Sequence, residues 1–197
     1  HAWAGQVRML IEMGQFEQAK RWADDAAERF LREPEVLAAK AVALARQGDH
    51  RAALAFSDAA LEEGGEMSYV WLARGDVLLA RAERRADYCF GKALAISPKD
   101  WLWPWLVSRV LFFYRKFSLA LKLISQAVAL DGGQPVVWAH MGRCQHALGL
   151  AGAAAASWAQ AKQLDPTCPD ALMALEDAQE SGVGDRLVGL ARRWLRL

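Results

Sequence analysis

Residues 135–166 read PVVWAHMGRCQHALGLAGAAAASWAQAKQLDP, so that Trp138, Met141, Gly142 and Gln145 are followed by Ala154, Trp158, Ala161 and Pro166. The spacing returns along the whole chain. Ala19, Ala53, Ala86, Ala120 and Ala154 stand 34, 33, 34 and 34 residues apart, and seven residues beyond each is a second alanine, Ala26, Ala60, Ala93, Ala127 and Ala161. A fixed period in the thirties, carried by small residues at helical spacing, describes stacked helical hairpins rather than one closed globule.

Each copy reads as two amphipathic helices with apolar residues three and four apart. Gly75 and Gly142 fall inside first helices, where glycine costs about 1 kcal/mol relative to alanine. Close approach of the partner helix offsets that cost. The alanines act alike on the second helix, and Phe90, Ile124 and Trp158 are expected to fill the space between neighbouring hairpins. Gly14, Gly48 and Gly149 mark turns within hairpins, and Pro34, Pro98, Pro166 and Pro169 mark breaks between them. The pattern predicts helix pairs at 2–13 and 15–31, 35–46 and 49–63, 68–81 and 84–96, 102–114 and 117–130, and 135–148 and 151–164. A last pair, 169–181 and 185–196, has lost the signature, with Val188 and Leu195 where alanines are expected. An atypical terminal unit reads as a cap, the alternative being a further repeat cut short.

Written out, the copy at 135–166 is Trp-x2-apolar-Gly-x2-polar, then Ala-x3-aromatic-x2-Ala-x4-Pro, which resembles the tetratricopeptide (TPR) repeat. A second copy has Trp71, Gly75, Leu78, Ala86, Phe90, Ala93 and Pro98. Earlier copies are thinner, keeping Trp3, Gly14, Ala19, Ala23 and Ala26, then Gly48, Ala53 and Ala60. The fourth has Ser108 in the glycine position and Gly132 where the family usually has proline. The resemblance implies an all-α, right-handed superhelical solenoid of antiparallel helix hairpins. It implies a single array over 1–197, with repeats near 1–34, 35–67, 68–100, 101–134 and 135–168 and a capping pair at 169–197.

In such an array the first helices line the concave surface. The residues just after the glycine position are then Arg8, Val42, Asp76, Arg109 and Arg143, with Leu72, Trp105 and Ala139 one turn before the last three and Leu79, Phe112 and His146 one turn after. The resemblance thus implies a groove of Tyr69, Leu72, Asp76, Trp105, Arg109, Phe112, Arg143 and His146. Its basic centre and aromatic ground suit a short acidic segment with apolar anchors, because arginine can hold a carboxylate with two hydrogen bonds. Some TPR domains clamp a C-terminal carboxylate with lysines and asparagines. The matching positions here hold Ala4, Arg8, Ala39, Tyr69 and Ala73, so that clamp is absent.

Charge supports the same region. Formal net charge over the chain is only +1, which nominates neither nucleic acid nor an anionic surface for the protein as a whole. From Trp101 to Gln163, however, there are six basic residues (Arg109, Arg115, Lys116, Lys122, Arg143, Lys162) against Asp131 alone, a balance of +5. From Asp165 to Asp185 there are six acids and no base.

These features describe a non-catalytic module that binds a peptide or extended segment of another protein. The alternative is a self-assembling scaffold in which the acidic stretch or terminal repeat of one copy enters the basic groove of the next. RNA binding would need a basic stripe along the whole inner face, which Asp76 and Asp177 interrupt. Membrane contact is expected only if the C-terminal amphipathic helix, with Leu187, Leu190 and Trp194 opposite Arg192, Arg193 and Arg196, is exposed. The stretch Trp101–Tyr114 is too short and too charged to cross a bilayer, and most of its aromatic bulk is expected in the core.

No cofactor is expected, and no metal. His140 and Cys144 share a helical face, but no second pair stands at ligand spacing. Cys89, Cys144 and Cys168 show no paired spacing, so a reducing, cytoplasmic compartment is the simpler expectation. The chain opens at His1 without methionine and is read as a fragment, which leaves an anchored or periplasmic protein as the alternative.

Overall fold

The structure is a computed structural model and describes residues 2–175. Ten helices follow in order: α1 Ala2–Glu12, α2 Phe16–Arg29, α3 Pro34–Arg46, α4 His50–Gly64, α5 Ser68–Ala80, α6 Ala86–Ile96, α7 Leu102–Phe113, α8 Phe117–Leu130, α9 Pro135–Ala147 and α10 Ala151–Leu164. The architecture is an all-α helical repeat, and each boundary falls within two residues of the one read from the periodicity. Backbone at 169–175 is helical. The rest of the expected capping pair, including Val188, Leu195 and the arginine-rich stripe, lies outside the described residues.

The chain divides into two compact units, His1–Val110 and Leu111–Leu197. In the first, α3 is buried from Val36 to Ala45 on every face except at Lys40. Its sequence explains this: five alanines in thirteen residues leave a thin cylinder that α1, α2, α4 and α5 can all approach. In the second, Ala139, Ala161, Cys168 and Ala171 form a small-residue core beside Trp138.

The five hairpin turns among the described residues share one backbone. Gly14, Gly48, Ala82, Arg115 and Gly149 each have φ between +57° and +89°, and they stand 34, 34, 33 and 34 residues apart. Each donates its N–H to the carbonyl three residues back, and the next residue donates to the carbonyl five back, as in Gly149 to His146 and Leu150 to Gln145, both 2.9 Å. This Schellman pair satisfies carbonyls that the helix end leaves open. Glycine enters the left-handed region without strain, whereas Ala82 and Arg115 carry a Cβ into it.

The packing inside each hairpin is set by one pair of positions. A Cβ built on Gly75 would land on the Phe90 ring, and one built on Gly142 would land on the Trp158 indole. Phe90 and Trp158 therefore seat against the first helix of their own hairpin, a correction to the expectation that they lie between hairpins. The other copies place Val7 and Ala23, Ala41 and Ser57, and Ser108 and Ile124 at these positions, all buried. Where the first-helix residue loses its side chain, the second-helix residue is aromatic. The Trp158 indole N–H also donates to the Ala139 carbonyl at 3.2 Å.

A second repeated contact ties hairpin to hairpin. Trp71 Nε1 donates to the Gly65 carbonyl at 2.6 Å, and Trp138 Nε1 to the Gly132 carbonyl at 2.8 Å. Gly132, in the position the family gives to proline, thus has its carbonyl held by the tryptophan six residues later.

Two stability predictions follow from these geometries. Gly142→Ala should destabilise the protein in urea unfolding by about 1–3 kcal/mol, overpacking outweighing a gain in helix propensity of about 1 kcal/mol. In a Trp158→Ala background the same change should instead be neutral or stabilising. Ala82→Gly should stabilise by about 0.5–1 kcal/mol by relieving the left-handed alanine, measured in the same assay.

Candidate binding surface

The eight residues expected along the groove divide between the units, with Tyr69, Leu72, Asp76, Trp105 and Arg109 in the first and Phe112, Arg143 and His146 in the second. The two groups differ in what their surroundings leave available.

In the first unit the first helices converge. Tyr69, Leu72 and Asp76 are buried and line, with Arg8, Ile11, Glu12, Val42 and others, a cavity of about 20 Å³, room for about one water molecule. The open ground expected here is covered, because side chains at neighbouring positions satisfy one another. Arg46 forks onto Asp76, its Nε donating to Oδ1 at 3.1 Å and its Nη2 to Oδ2 at 2.7 Å. Both side chains are almost fully enclosed, at 5% and 3% exposure. The Arg8 guanidinium lies over the Tyr69 ring, 5.3 Å from its centroid, and burial pushes the Tyr69 phenol well above its ordinary range.

Arg109 is also engaged. Its Nε and Nη2 both reach Oε2 of Glu12 at 2.6 Å, linking α7 to α1 across 97 residues of sequence. Its guanidinium lies 5.1 Å from the Trp105 ring centroid, and Trp105 packs on Trp101 at 6.0 Å. The Trp105 indole N–H is buried and finds no hydrogen-bond partner among the described residues. Core positions in 101–114 are filled by Leu106, Val107, Val110 and Leu111, with Pro104 and Ser108. Trp101, Trp103 and Trp105 are half-buried and Phe113 is exposed, so the aromatic bulk lies at the core's margin rather than in it. Aliphatic residues at three-and-four spacing take the inner stripe.

The second unit is arranged differently. Phe112 is edge-on to His140, with ring centroids 5.5 Å apart, and packs on Phe117 at 5.1 Å. The exposed Arg143 guanidinium lies over the Phe112 ring at 5.3 Å. Arg143 has no ion pair among the described residues. His146, one turn on and also exposed, stacks beside Trp158 at 5.6 Å. Under them His140 and Cys144 are buried, Sγ 3.7 Å from Nε2, and Cys89, Cys144 and Cys168 are all buried free thiols. Among the described residues no group of three or more His, Cys, Asp and Glu is placed to hold a metal ion, and no helix is long and apolar enough to cross a membrane.

Two partners that decide this arrangement escape a reading based on the glycine register, namely Glu12 and Arg46. They stand at equivalent positions, five residues after the glycine position in the first and second copies. Opposite charges there, beside Asp76 and Arg109 one repeat or more away, were the available signal.

No protein-family model matches the chain, and no curated protein matches it in sequence. Solved structures do match. TTC0263, a thermophilic TPR protein of Thermus thermophilus, is 16% identical, with 90% of this chain and 97% of that one covered and a TM-score of 0.68. YrrB, a TPR protein with an unusual peptide-binding site, is 16% identical over 88% of this chain and 90% of its own, TM-score 0.54. The first TPR of Spaghetti (RPAP3), bound to the HSP90 peptide SRMEEVD, is 19% identical over 60% of this chain and 94% of its own, TM-score 0.51. The chain has the tetratricopeptide-repeat fold.

The buried and exposed ion pairs should behave differently on mutation. Asp76→Ala leaves the enclosed Arg46 without its carboxylate and should cost about 3–5 kcal/mol in urea unfolding. Glu12→Gln removes a partly solvated pair and should cost less than about 1 kcal/mol.

Proposed function

We propose that the protein is a non-catalytic interaction module that binds an extended segment of a partner protein, with acidic side chains of that segment taken by Arg143. The observation that carries this is the state of Arg143: exposed, with its guanidinium over the Phe112 ring, and without an ion pair among the described residues. Arg46 and Arg109 each hold a carboxylate already. A guanidinium oriented by an aromatic ring presents its donor fork with little rotamer freedom left to lose, which favours a planar carboxylate. Phe112 and His146 supply the apolar and aromatic ground for a neighbouring anchor.

The fold supports the class of function. Among solved TPR proteins similar to this chain, one is described by its peptide-binding site and another holds the peptide SRMEEVD, with two successive acids. The missing lysine and asparagine clamp argues for internal acidic side chains as the ligand groups rather than a C-terminal carboxylate.

A peptide array of acidic, aromatic segments, followed by fluorescence anisotropy on a hit, tests the reading. Arg143→Ala should weaken binding about tenfold or more and flatten its dependence on salt. Arg143→Lys should recover only part, since it keeps the charge and loses the fork. Equal affinity of wild type and Arg143→Ala would remove Arg143 from the site.

A further inference from the structure

Because every turn within a hairpin has the same backbone, the residues placed on it can be compared directly. The position after the left-handed residue holds Gln15, Asp49 and Glu83 in the first unit and Lys116 and Leu150 in the second. Asp49 caps α4 by accepting from the Ala52 N–H at 3.1 Å, and Glu83 holds Arg81 and Arg85. Lys116 and Leu150 open α8 and α10 with no side-chain cap, as Gln15 opens α2. Their backbone, φ −87° and ψ 58° and φ −86° and ψ 60°, is close to the −79° and 72° of Asp49. A capping side chain would therefore fit. A lysine or leucine there forgoes the capping bond, and lysine also opposes the helix dipole. What sets the second unit apart is that both of its described turn positions carry a side chain with no acceptor, where Gln15, Asp49 and Glu83 have one, a choice to be explained at the surface.

The surroundings say which role. At this end of the second unit Phe113, Leu119, Leu148 and Leu150 are 48%, 48%, 36% and 49% exposed, where turn tips are ordinarily polar. Arg115 and Lys116 are exposed between them. The one acid from Leu111 to Leu164 is Asp131. It sits beyond the other end of α8, a helix length of about 20 Å away, and its carboxylate accepts from the Gly133 N–H and the Gln134 amide.

We propose that the α7–α8 and α9–α10 turns dock on the surface of an anionic lipid bilayer, with Phe113, Leu148 and Leu150 entering the headgroup region and Arg115 and Lys116 meeting lipid anions. Exposed apolar side chains and cations at the two turns, with no carboxylate in either turn, are what such a surface selects. A protein partner would instead require a broad complementary patch. No described helix can span a membrane, so the contact is peripheral, and it does not depend on peptide binding at Arg143.

The test is co-sedimentation of the full chain with vesicles of equal parts phosphatidylcholine and phosphatidylserine, and with vesicles of phosphatidylcholine alone. The wild type should pellet with the anionic vesicles, be released by salt, and stay in solution with the neutral ones. The double variant Lys116→Asp, Leu150→Asp should bind the anionic vesicles weaker by about thirtyfold or more. Its melting temperature should rise, because both aspartates supply missing caps, so lost binding cannot be ascribed to misfolding. A wild type that ignores anionic vesicles, or a double variant that pellets as well as the wild type, would overturn the proposal. So would self-association, seen by light scattering without vesicles and abolished by the same variant, which would assign this edge to a second copy of the chain.

Discussion

Within each hairpin, everything else depends on the seat that the first helix offers to one side chain of the second. Glycine at 75 and 142 opens that seat to Phe90 and Trp158, and smaller second-helix residues stand where the first-helix residue keeps a side chain. The fit limits how closely the two helices approach, and in every copy the left-handed turn residue follows the first-helix position by seven residues. With five copies of the turn in register, side chains one repeat apart fall on corresponding positions. The proposed binding surfaces inherit that regularity.

On this regular frame the two units use charge in opposite ways. In the first, complementary charges at neighbouring first-helix positions neutralise one another: Arg46 with Asp76 in an enclosed pair, Arg109 with Glu12 in a more open one. An enclosed pair of this kind contributes more to defining one arrangement than to net stability, since desolvation offsets much of the attraction. In the second unit, cations are left facing solvent at Arg115, Lys116 and Arg143. Two of the turns also carry leucine or lysine where an acid would stabilise the helix. Surface that is locally less stable than it could be is where binding is to be sought.

The fold was legible because the alanine and glycine positions report contact distance directly, and contact distance repeats. The same reasoning found three of the five left-handed turn residues, the glycines, and passed over Ala82 and Arg115, whose side chains hide the conformation that the period nonetheless imposes. Of the candidate site, Arg143, Phe112 and His146 were named among the eight groove residues, and the structure brings Arg143 onto Phe112. Tyr69, Leu72 and Asp76 were placed at the right register but expected in the open. Whether a position faces solvent depends on long side chains arriving from elsewhere, such as Glu12 from 97 residues away, and repeat periodicity carries no information about that reach.

Arg46 and Arg109 of the first unit each hold a carboxylate, whereas Arg143 has no ion pair among the described residues and is the proposed binding group. Nitrogen-15 NMR of the arginine Nε–H groups, recorded while a short glutamate peptide is added, reads this directly. Arg46 and Arg109 should give protected resonances in the free protein that stay in place, and the Arg143 resonance should shift and sharpen as the peptide binds. Movement of Arg109 at the same peptide concentrations, with Arg143 unmoved, would contradict the account.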